Sequence, residues 1–428
     1  CGPTVYDFIH IGNARPLVVF DVLVRLLRKI YPKVTYVRNI TDIDDKINKR
    51  AIEKKINISQ LTNETIKNFH KDAHALGNLK PDFEPKATDH ISEMIEMIET
   101  LISNGFAYVS SGNVLFAVEK YNNYGALSGR SLDEMISGSR VEVAEYKKNP
   151  GDFILWKPSS EKLPGWDSPW GRGRPGWHIE CSAMSKKYLG TQFDIHAGGL
   201  DLIFPHHENE IAQSCCANKS DIMANYWLHN GYVTSDGEKM SKSLGNFATI
   251  NSLLLNFRGE AIRYALMQAQ YRAPLSFSKK SLDEATKSLS RLYRAVEGFE
   301  VNDGQDTQII DNLCDDLNSP KALARLHYLA DEAKKGSKEC AQKLKNSSNI
   351  LGILCNSTDE WFKFGEINSN EAIENSSMTE KEIDELIIKR KIAKENKEYE
   401  KADQIREQLL EKNIQLDDKP DRTIWRRL

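Results

Sequence analysis

The sequence has no apolar run approaching the roughly 20 residues that a membrane span needs, and no charged-then-apolar segment typical of a secretion signal. We therefore expect a cytoplasmic protein without a membrane partner. The formal net charge is only -3, although 28% of the 428 residues are charged. Because the chain is not a polycation, any contact with nucleic acid must come from local patches.

Cysteine is sparse and irregularly placed. The seven residues are Cys1, Cys181, Cys215, Cys216, Cys314, Cys340 and Cys355. Their odd number and uneven spacing exclude a regular disulfide scaffold, so we expect reduced thiols or metal ligands. The sequence also lacks an initiating Met and starts in a turn-like Cys1-Gly2-Pro3-Thr4. We expect that an upstream segment has been lost.

Internal repeats are absent, and the length predicts two to four domains. An apolar face predicts a helix from Pro16 to Tyr31, and a strand is expected from Val34 to Ile40. With a strand before Cys1 these would form a βαβ unit, in which phosphates bind at the start of the helix. His10 and Asn13 lie at that point.

The composition and hydrophobic periodicity of the rest of the sequence predict several domains of an α/β protein. We expect a parallel-sheet domain split by an inserted subdomain, then an all-α helical bundle and a small terminal module. The predicted bounds are 1–84 and 170–228 for the two halves of the sheet domain, 85–169 for the insertion, 229–280 for a lysine-loop region, 281–366 for the bundle and 378–428 for the module.

Two separated motifs predict a site for ATP, with Mg²⁺ accompanying the nucleotide. In Lys239-Met240-Ser241-Lys242-Ser243, two ammonium groups can follow the pyrophosphate as charge develops on it. We expect Lys242 to contribute most and Lys239 second. In His10-Ile11-Gly12-Asn13, the glycine lets a flat adenine approach the backbone, while His10 and Asn13 donate to phosphate. The alternatives are a capped helix start and a solvated basic loop.

Cys1, Cys181, His206 and Glu210 offer two thiolates, an imidazole and a carboxylate, a donor set that suits Zn²⁺. His206 and Glu210 are four residues apart and therefore share one helix face. Spacing alone leaves buried free cysteines and a helix-face histidine as alternatives.

The two ATP motifs resemble those of class I aminoacyl-tRNA synthetases, with Asn13 in place of a second histidine. Asparagine still donates to phosphate. Three longer strings are similar to the cysteinyl-tRNA synthetase family: Cys1 to Asp7, Gly173 to Met184 and Phe204 to Glu210. The resemblance implies a Rossmann-like catalytic domain and one zinc ion on the four residues named above, which binds the substrate thiolate.

The same resemblance suggests further substrate contacts. Trp177 would wall the thiol pocket, Thr41 would contact the amino acid and His196 would orient the substrate or a ligand. Each residue also has an alternative structural role: Trp177 as a core aromatic, Thr41 as a helix cap and His196 as a histidine at the end of a strand. Asp201, at the end of Gly198-Gly199-Leu200-Asp201, would meet the ribose hydroxyls, unless this run is simple turn chemistry.

The function implied is zinc-dependent cysteine–tRNA ligation by a monomer, with cysteine, ATP and tRNA(Cys) as substrates. The carboxylate of cysteine attacks the α-phosphate of ATP, and the terminal adenosine of tRNA then attacks the carbonyl. The run from Asp315 to Leu323, with Asn318 or Ser319 as helix cap, resembles the family's helical bundle beside the anticodon stem, and a capped structural helix is its alternative. The runs Ala402 to Arg406 and Trp425 to Arg427 look like the small anticodon-reading module, in which arginines can contact phosphate or guanine and a tryptophan can stack on an unpaired base; a solvated helix is the alternative for residues 380–412. The alternatives are a cysteine ligase acting on an amino sugar in mycothiol synthesis and a non-catalytic tRNA-binding homologue.

Overall fold

The computed structural model describes residues 1–130, 134, 144–235, 238–239, 248–302, 304–363, 378–418 and 423–427. They divide into two compact units. The first contains residues 1–74, 78–251 and 271–276, and the second contains residues 75–77, 252–270 and 277–428. Within the described ranges, no helix combines the length and the apolar character needed to cross a membrane.

Helices dominate both units. In chain order they are α1 (Ile11–Ile30), α2 (Asp45–Lys54), α3 (Ile58–Ala75), α4 (Ile91–Ser103), α5 (Trp177–Leu189), α6 (Glu208–Asn218), α7 (Ile250–Leu253), α8 (Gly259–Leu266), α9 (Lys279–Ala295), α10 (Thr307–Cys314), α11 (Ser319–Lys334), α12 (Lys338–Ser348), α13 (Thr358–Lys363), α14 (Glu380–Glu395) and α15 (Tyr399–Glu411). The strands are β1 (Ala107–Ser110), β2 (Asn113–Phe116), β3 (Phe153–Pro158), β4 (Gly173–Pro175), β5 (Phe193–Gly199), β6 (Ala224–Asn230), β7 (Val233–Ser235), β8 (Glu238–Lys239), β9 (Leu275–Ser276), β10 (Ile414–Asp418) and β11 (Thr423–Arg427).

A parallel arrangement of strands organises the first unit. β5 pairs with β6 in parallel, and parallel bridges join Thr4 to Thr41 and Ile40 to Lys86. The backbone nitrogen of Cys1 donates to the Ala197 carbonyl of β5 at 2.9 Å. The segments therefore lie in the order 83–86, 37–41, 3–5, β5 and β6. This is the 3-2-1-4-5 strand order of a Rossmann-like fold, which confirms the predicted fold class.

Helix α1 begins at Ile11, five residues before the predicted start at Pro16. His10 caps it: the His10 ring accepts the Asn13 backbone N–H at 3.3 Å, and the Asn13 side-chain oxygen accepts the His10 N–H at 3.4 Å. These bonds satisfy backbone donors that a helix start otherwise leaves free. The same two side chains therefore give the helix a defined start.

A four-stranded antiparallel sheet lies within the first unit, with its strands in the order β1, β2, β3, β4. Its core joins Phe116 and Trp156 to Met94 of α4 and to Ile179 of α5. β4 ends at Pro175, two residues before α5 begins at Trp177. The sheet therefore leads directly into the helix that carries Cys181.

A buried polar cluster stabilises the second unit. Glu260 of α8 accepts the hydroxyl of Tyr293 at 2.7 Å and the backbone N–H of Cys355 at 2.8 Å. The Tyr293 ring stacks on Trp361, with centroids 4.7 Å apart. Asn318 caps α11 by accepting the Lys321 N–H at 3.2 Å.

The carboxyl-terminal part adds an antiparallel pair, β10 and β11, to helices α14 and α15. Trp425 is only 1% exposed, and its indole nitrogen donates to Asp384 at 2.9 Å. In this structure Trp425 is therefore a core residue, and its ring is not available for the base stacking expected from the sequence.

Asp72 of α3 carries a buried carboxyl group. Its side chain is 1% exposed, and neither carboxylate oxygen has a hydrogen-bond partner among the described residues. Burial raises the pKa of Asp72 to about 6, an effect that the charge of Lys71 partly offsets. Because the folded pKa exceeds the unfolded one, the destabilisation is present above pH 6 and disappears as the pH falls toward 4.

We expect Asp72→Asn to raise the free energy of unfolding at pH 7.5 by about 1–3 kcal/mol, from 1.36 kcal/mol per pKa unit. The gain should vanish near pH 4. Urea unfolding at both pH values measures it, with Glu64→Gln as the control at an exposed carboxyl of the same helix. A destabilised Asp72→Asn at pH 7.5 would show that the carboxylate has a favourable role.

Candidate functional site

The four predicted metal ligands come together in the first unit. Their ligand atoms, which belong to Cys1, Cys181, His206 and Glu210, all lie within 4.8 Å of one another. Cys1 precedes the first parallel segment, Cys181 lies in the second turn of α5, and the other two flank the start of α6. The fold thus closes a site from three distant stretches of sequence.

The geometry and burial of this group suit a cation. His206 Nε2 lies 2.9 Å from Glu210 Oε1, and Cys1 Sγ lies 3.6 Å from the same oxygen. Glu210 is fully buried, and its Oε2 lies 3.3 Å from His196 Nε2. A tetrahedral zinc with bonds of about 2.3 Å to sulfur separates its ligand atoms by about 3.8 Å. The donors and their spacing therefore fit zinc.

A second set of four donors overlaps the first and shares Cys1 and Glu210 with it. It adds His196, whose Nε2 lies 3.4 Å from Cys1 Sγ, and His207, whose Nε2 lies 3.3 Å from the same sulfur. His196, predicted as a substrate contact, thus lies beside the metal-ligand group. The first set contains two thiols and the second only one, so the first is the better match to thiophilic zinc.

Sequence reasoning missed a chain of histidines behind the ligands. His178 Nδ1 lies 2.8 Å from His206 Nδ1, and His207 Nδ1 lies 2.8 Å from His229 Nε2. Burial lowers the pKa of His178 to about 3 and that of His229 to about 4, which keeps both rings neutral. Neutral rings can orient a ligand imidazole through its second nitrogen. The available signal was that His178 and His207 stand inside two of the three longer motif strings.

Trp177 and Thr41 occupy different positions around this group. The Trp177 ring stacks on His206 with centroids 4.1 Å apart and is 39% exposed, so it forms an accessible wall. Thr41 is 1% exposed, and its hydroxyl donates to Glu180 at 3.1 Å. Its hydroxyl is thus engaged within the protein, while its contact with an amino acid remains a prediction.

One groove connects the metal-ligand group with the first ATP motif. It has a volume of about 1200 Å³ and is lined by Cys1, Cys181, Trp177, His196, His10, Gly12, Asn13 and Asp201, among other residues. At Gly12, a Cβ atom would lie 2.9 Å from the His10 ring. This glycine therefore leaves room for the cap of α1, in addition to the predicted approach of adenine.

The second ATP motif is described only in part. Lys239 lies on β8, where its backbone pairs with Thr234 of β7, and Lys242 lies outside the described residues. After the motif, Ala248 and Ile250 bond to the backbone on either side of His10: Ile11 N–H donates to Ala248 at 3.0 Å, and Ile250 N–H donates to Ile9 at 2.9 Å. The segment that follows the lysine motif is therefore attached directly to the first ATP motif.

Comparison with known proteins agrees with this geometry. Residues 1–287 match the family described as tRNA synthetases class I (C) catalytic domain. A Cysteine–tRNA ligase of Gluconobacter oxydans is 52% identical over all of this chain and 92% of its own length. One of Rhodospirillum rubrum is 51% identical over all of this chain and 94% of its own length.

The fold also has relatives among solved structures. A Mycobacterium tuberculosis methionyl-tRNA synthetase in complex with methionyl-adenylate superimposes with a TM-score of 0.59 at 14% identity, over 82% of this chain and 87% of that chain. At this identity the likeness supports the fold alone. The match to the family model, the identity over the full length and the fold agree. The chain therefore belongs to the class I tRNA synthetases, in the family described as class I (C).

Proposed function

We propose that this protein is a zinc-dependent cysteine–tRNA ligase. It would activate cysteine with Mg²⁺-ATP to cysteinyl-adenylate and transfer the cysteinyl group to the 3′-terminal adenosine of tRNA(Cys). The observation that carries the proposal is the group of thiol, imidazole and carboxylate donors at one end of a groove whose other part is lined by the first ATP motif. The names of the full-length relatives support the same substrate.

Selection of cysteine is the demanding part of this function, since serine has nearly the same size. A shaped apolar pocket separates such close analogues only modestly. Cys1, Cys181, His206 and Glu210 would hold the zinc ion. Zinc bound there would accept the substrate's thiolate far more readily than a neutral hydroxyl. Trp177, which stacks on His206, would form the wall of the pocket for the substrate side chain.

Adenylate formation requires that charge on the phosphates be stabilised as the carboxylate attacks. His10 and Asn13, at the start of α1, would face the phosphates, where the helix dipole also favours negative charge. Lys242 and then Lys239 would neutralise the departing pyrophosphate. Asp201, which is exposed in the groove, would accept from the ribose hydroxyls. Positioning and charge stabilisation account for the reaction without a protein nucleophile.

The remaining domains would bind the tRNA. We assign the inserted subdomain, residues 85–169, to the acceptor end and residues 281–366 to the side of the anticodon stem. Residues 378–428 would read the anticodon. In this last module Arg390 is committed to Asp418 through two hydrogen bonds of 2.8 and 2.9 Å, so the exposed Arg406 is the better candidate for contact with RNA. We propose that the chain acts as a monomer.

Transfer of labelled cysteine to unfractionated tRNA tests the proposal directly. The purified protein is assayed with ATP and Mg²⁺, with and without a strong zinc chelator, and zinc is then restored. We expect charging that the chelator abolishes and zinc recovers. Activation of cysteine without charging of tRNA would favour the amino-sugar ligase, and absence of both would favour a binding protein. Charging that survives removal of all metal would overturn the zinc assignment.

A further inference from the structure

The segment Tyr6-Asp7-Phe8, which we call the aromatic loop, has no role in the chemistry proposed above. In the chain it separates Cys1 of the metal-ligand group from His10 of the first ATP motif, and all of these residues line the same groove. Phe8 is 37% exposed, so its ring stands at the opening of the groove. The aromatic loop is therefore accessible to a ligand that enters from outside.

Contacts with helix α2 hold the aromatic loop in place. A guanidinium nitrogen of Arg50 donates to the Asp7 carboxylate at 3.1 Å, and the Phe8 N–H donates to the same carboxylate at 3.0 Å. One turn earlier on α2, the Lys46 ammonium lies 5.9 Å from the centroid of the Tyr6 ring. Because the backbone at Phe8 is already ordered, a ligand that stacks on its ring has little ordering cost to meet.

Lys46 supplies a positive charge beside the aromatic loop. Two carboxylates lie next to it at the start of α2, and the protein engages both of them. Asp45 pairs with Lys157 and with Arg174, at 2.6 Å each, and Asp44 caps the helix by accepting the Lys46 N–H at 2.7 Å. The Lys46 ammonium itself is exposed, lines the groove and forms no ion pair with the described residues. Its charge is therefore available to an anionic ligand.

An exposed ring beside a cation is the combination with which proteins hold single-stranded nucleic acid, through a stacked base and a backbone phosphate. We propose that the aromatic loop and Lys46 receive the 3′ end of tRNA, with Phe8 stacking on the terminal adenine and Lys46 contacting a phosphate of the single-stranded end. The inference rests on the proposed function, because it takes tRNA as the second substrate. The aromatic loop suits this role because the terminal adenosine must reach a carbonyl held between the thiol end of the groove and the phosphates at His10.

We expect Phe8→Ala to raise the KM for tRNA in cysteine transfer by about 10- to 100-fold, the loss that follows removal of one stack between a base and an aromatic ring. Cysteine-dependent pyrophosphate exchange needs no tRNA and should change by less than about twofold. Phe8→Tyr keeps a ring and should retain most of the affinity for tRNA. Phe83→Ala is the matched control, because Phe83 is 45% exposed in the same unit but does not line the groove.

A tRNA that lacks its terminal adenosine identifies the nucleotide that Phe8 contacts. This truncated tRNA cannot be charged, so its binding is measured as inhibition of charging. The wild type should bind it more weakly than intact tRNA, whereas Phe8→Ala should bind the two alike. If Phe8→Ala still prefers intact tRNA by the same factor as the wild type, the ring does not contact the terminal adenine and the proposal is overturned.

The salt dependence of charging tests the assignment of Lys46. Lys46→Ala should lower the slope of log KM for tRNA against log salt concentration by about 0.7, since one phosphate contact on a single strand is lost. Lys54→Ala, at an exposed lysine near the end of the same helix, should leave the slope unchanged. An unchanged slope in Lys46→Ala, or pyrophosphate exchange that falls as much as charging in Phe8→Ala, would overturn the proposal. Failure of the wild type to activate cysteine would count against the proposed function instead.

Discussion

Replacing Cys181 by Ser should abolish binding of the proposed zinc ion and lower cysteine activation by at least on the order of 10²-fold, which is the upper range for loss of even an outer-shell partner of a metal site. The substitution keeps the size of the side chain but exchanges a soft thiolate for a hydroxyl, a poor ligand for zinc. Cys181 is 6% exposed, and its sulfur lies within 4.8 Å of the other three donor atoms. A water molecule therefore has little room to take its place as a ligand.

Metal content by mass spectrometry and cysteine-dependent pyrophosphate exchange measure the two effects separately. Cys215→Ser is the matched control, because Cys215 is also a buried thiol, 4% exposed, and packs in a cluster with Phe193 and Met223. It should keep the metal and the activity. A Cys181→Ser variant that holds a full equivalent of zinc and activates cysteine normally would show that the second donor set, built on His196 and His207, is the actual site.

Lys242→Ala should lower kcat of pyrophosphate exchange by about 10²–10³-fold, the loss typical of removing one donor that stabilises transition-state charge. The KM for cysteine should change little, since the thiol end of the groove is untouched. Lys242→Arg should retain more activity than Lys242→Ala, and Lys239→Ala should have a smaller effect. Lys54→Ala, at an exposed lysine of α2, is the control for a general change in charge. Unchanged exchange in Lys242→Ala would remove this residue from the mechanism.

The metal-ligand group could be predicted because its donors are rare residue types that lie within long motif strings. Cys181 and His206 each stand in such a string, and zinc restricts the donors to a few types. The histidine chain of His178 and His229 could not be predicted in the same way. A single histidine has many roles, and only the fold shows that these two contact the rings of other histidines.

Specific contacts in the structure explain two differences between the predictions and the observed structure. The start of α1 was missed because His10 is an unusual cap, and its reciprocal bonds with Asn13 are visible only in three dimensions. The prediction for Trp425 failed for another reason. An indole near arginines resembles a stacking platform in sequence, but the pairing of β10 with β11 places it in the core against Ile383.

The metal-ligand residues lie far apart in the sequence, and this delays assembly of the group during synthesis of the chain. Cys1 and Cys181 are separated by 180 positions, and the group is complete only at Glu210. At a synthesis rate of about 5–20 residues per second, the thiol of Cys1 waits roughly 10–40 s for its partners to leave the ribosome. During that interval it is an isolated thiol, open to oxidants and to other metals. The order of synthesis would therefore make capture of the proposed zinc ion a late event, and chains damaged at Cys1 before then would complete their synthesis without the site.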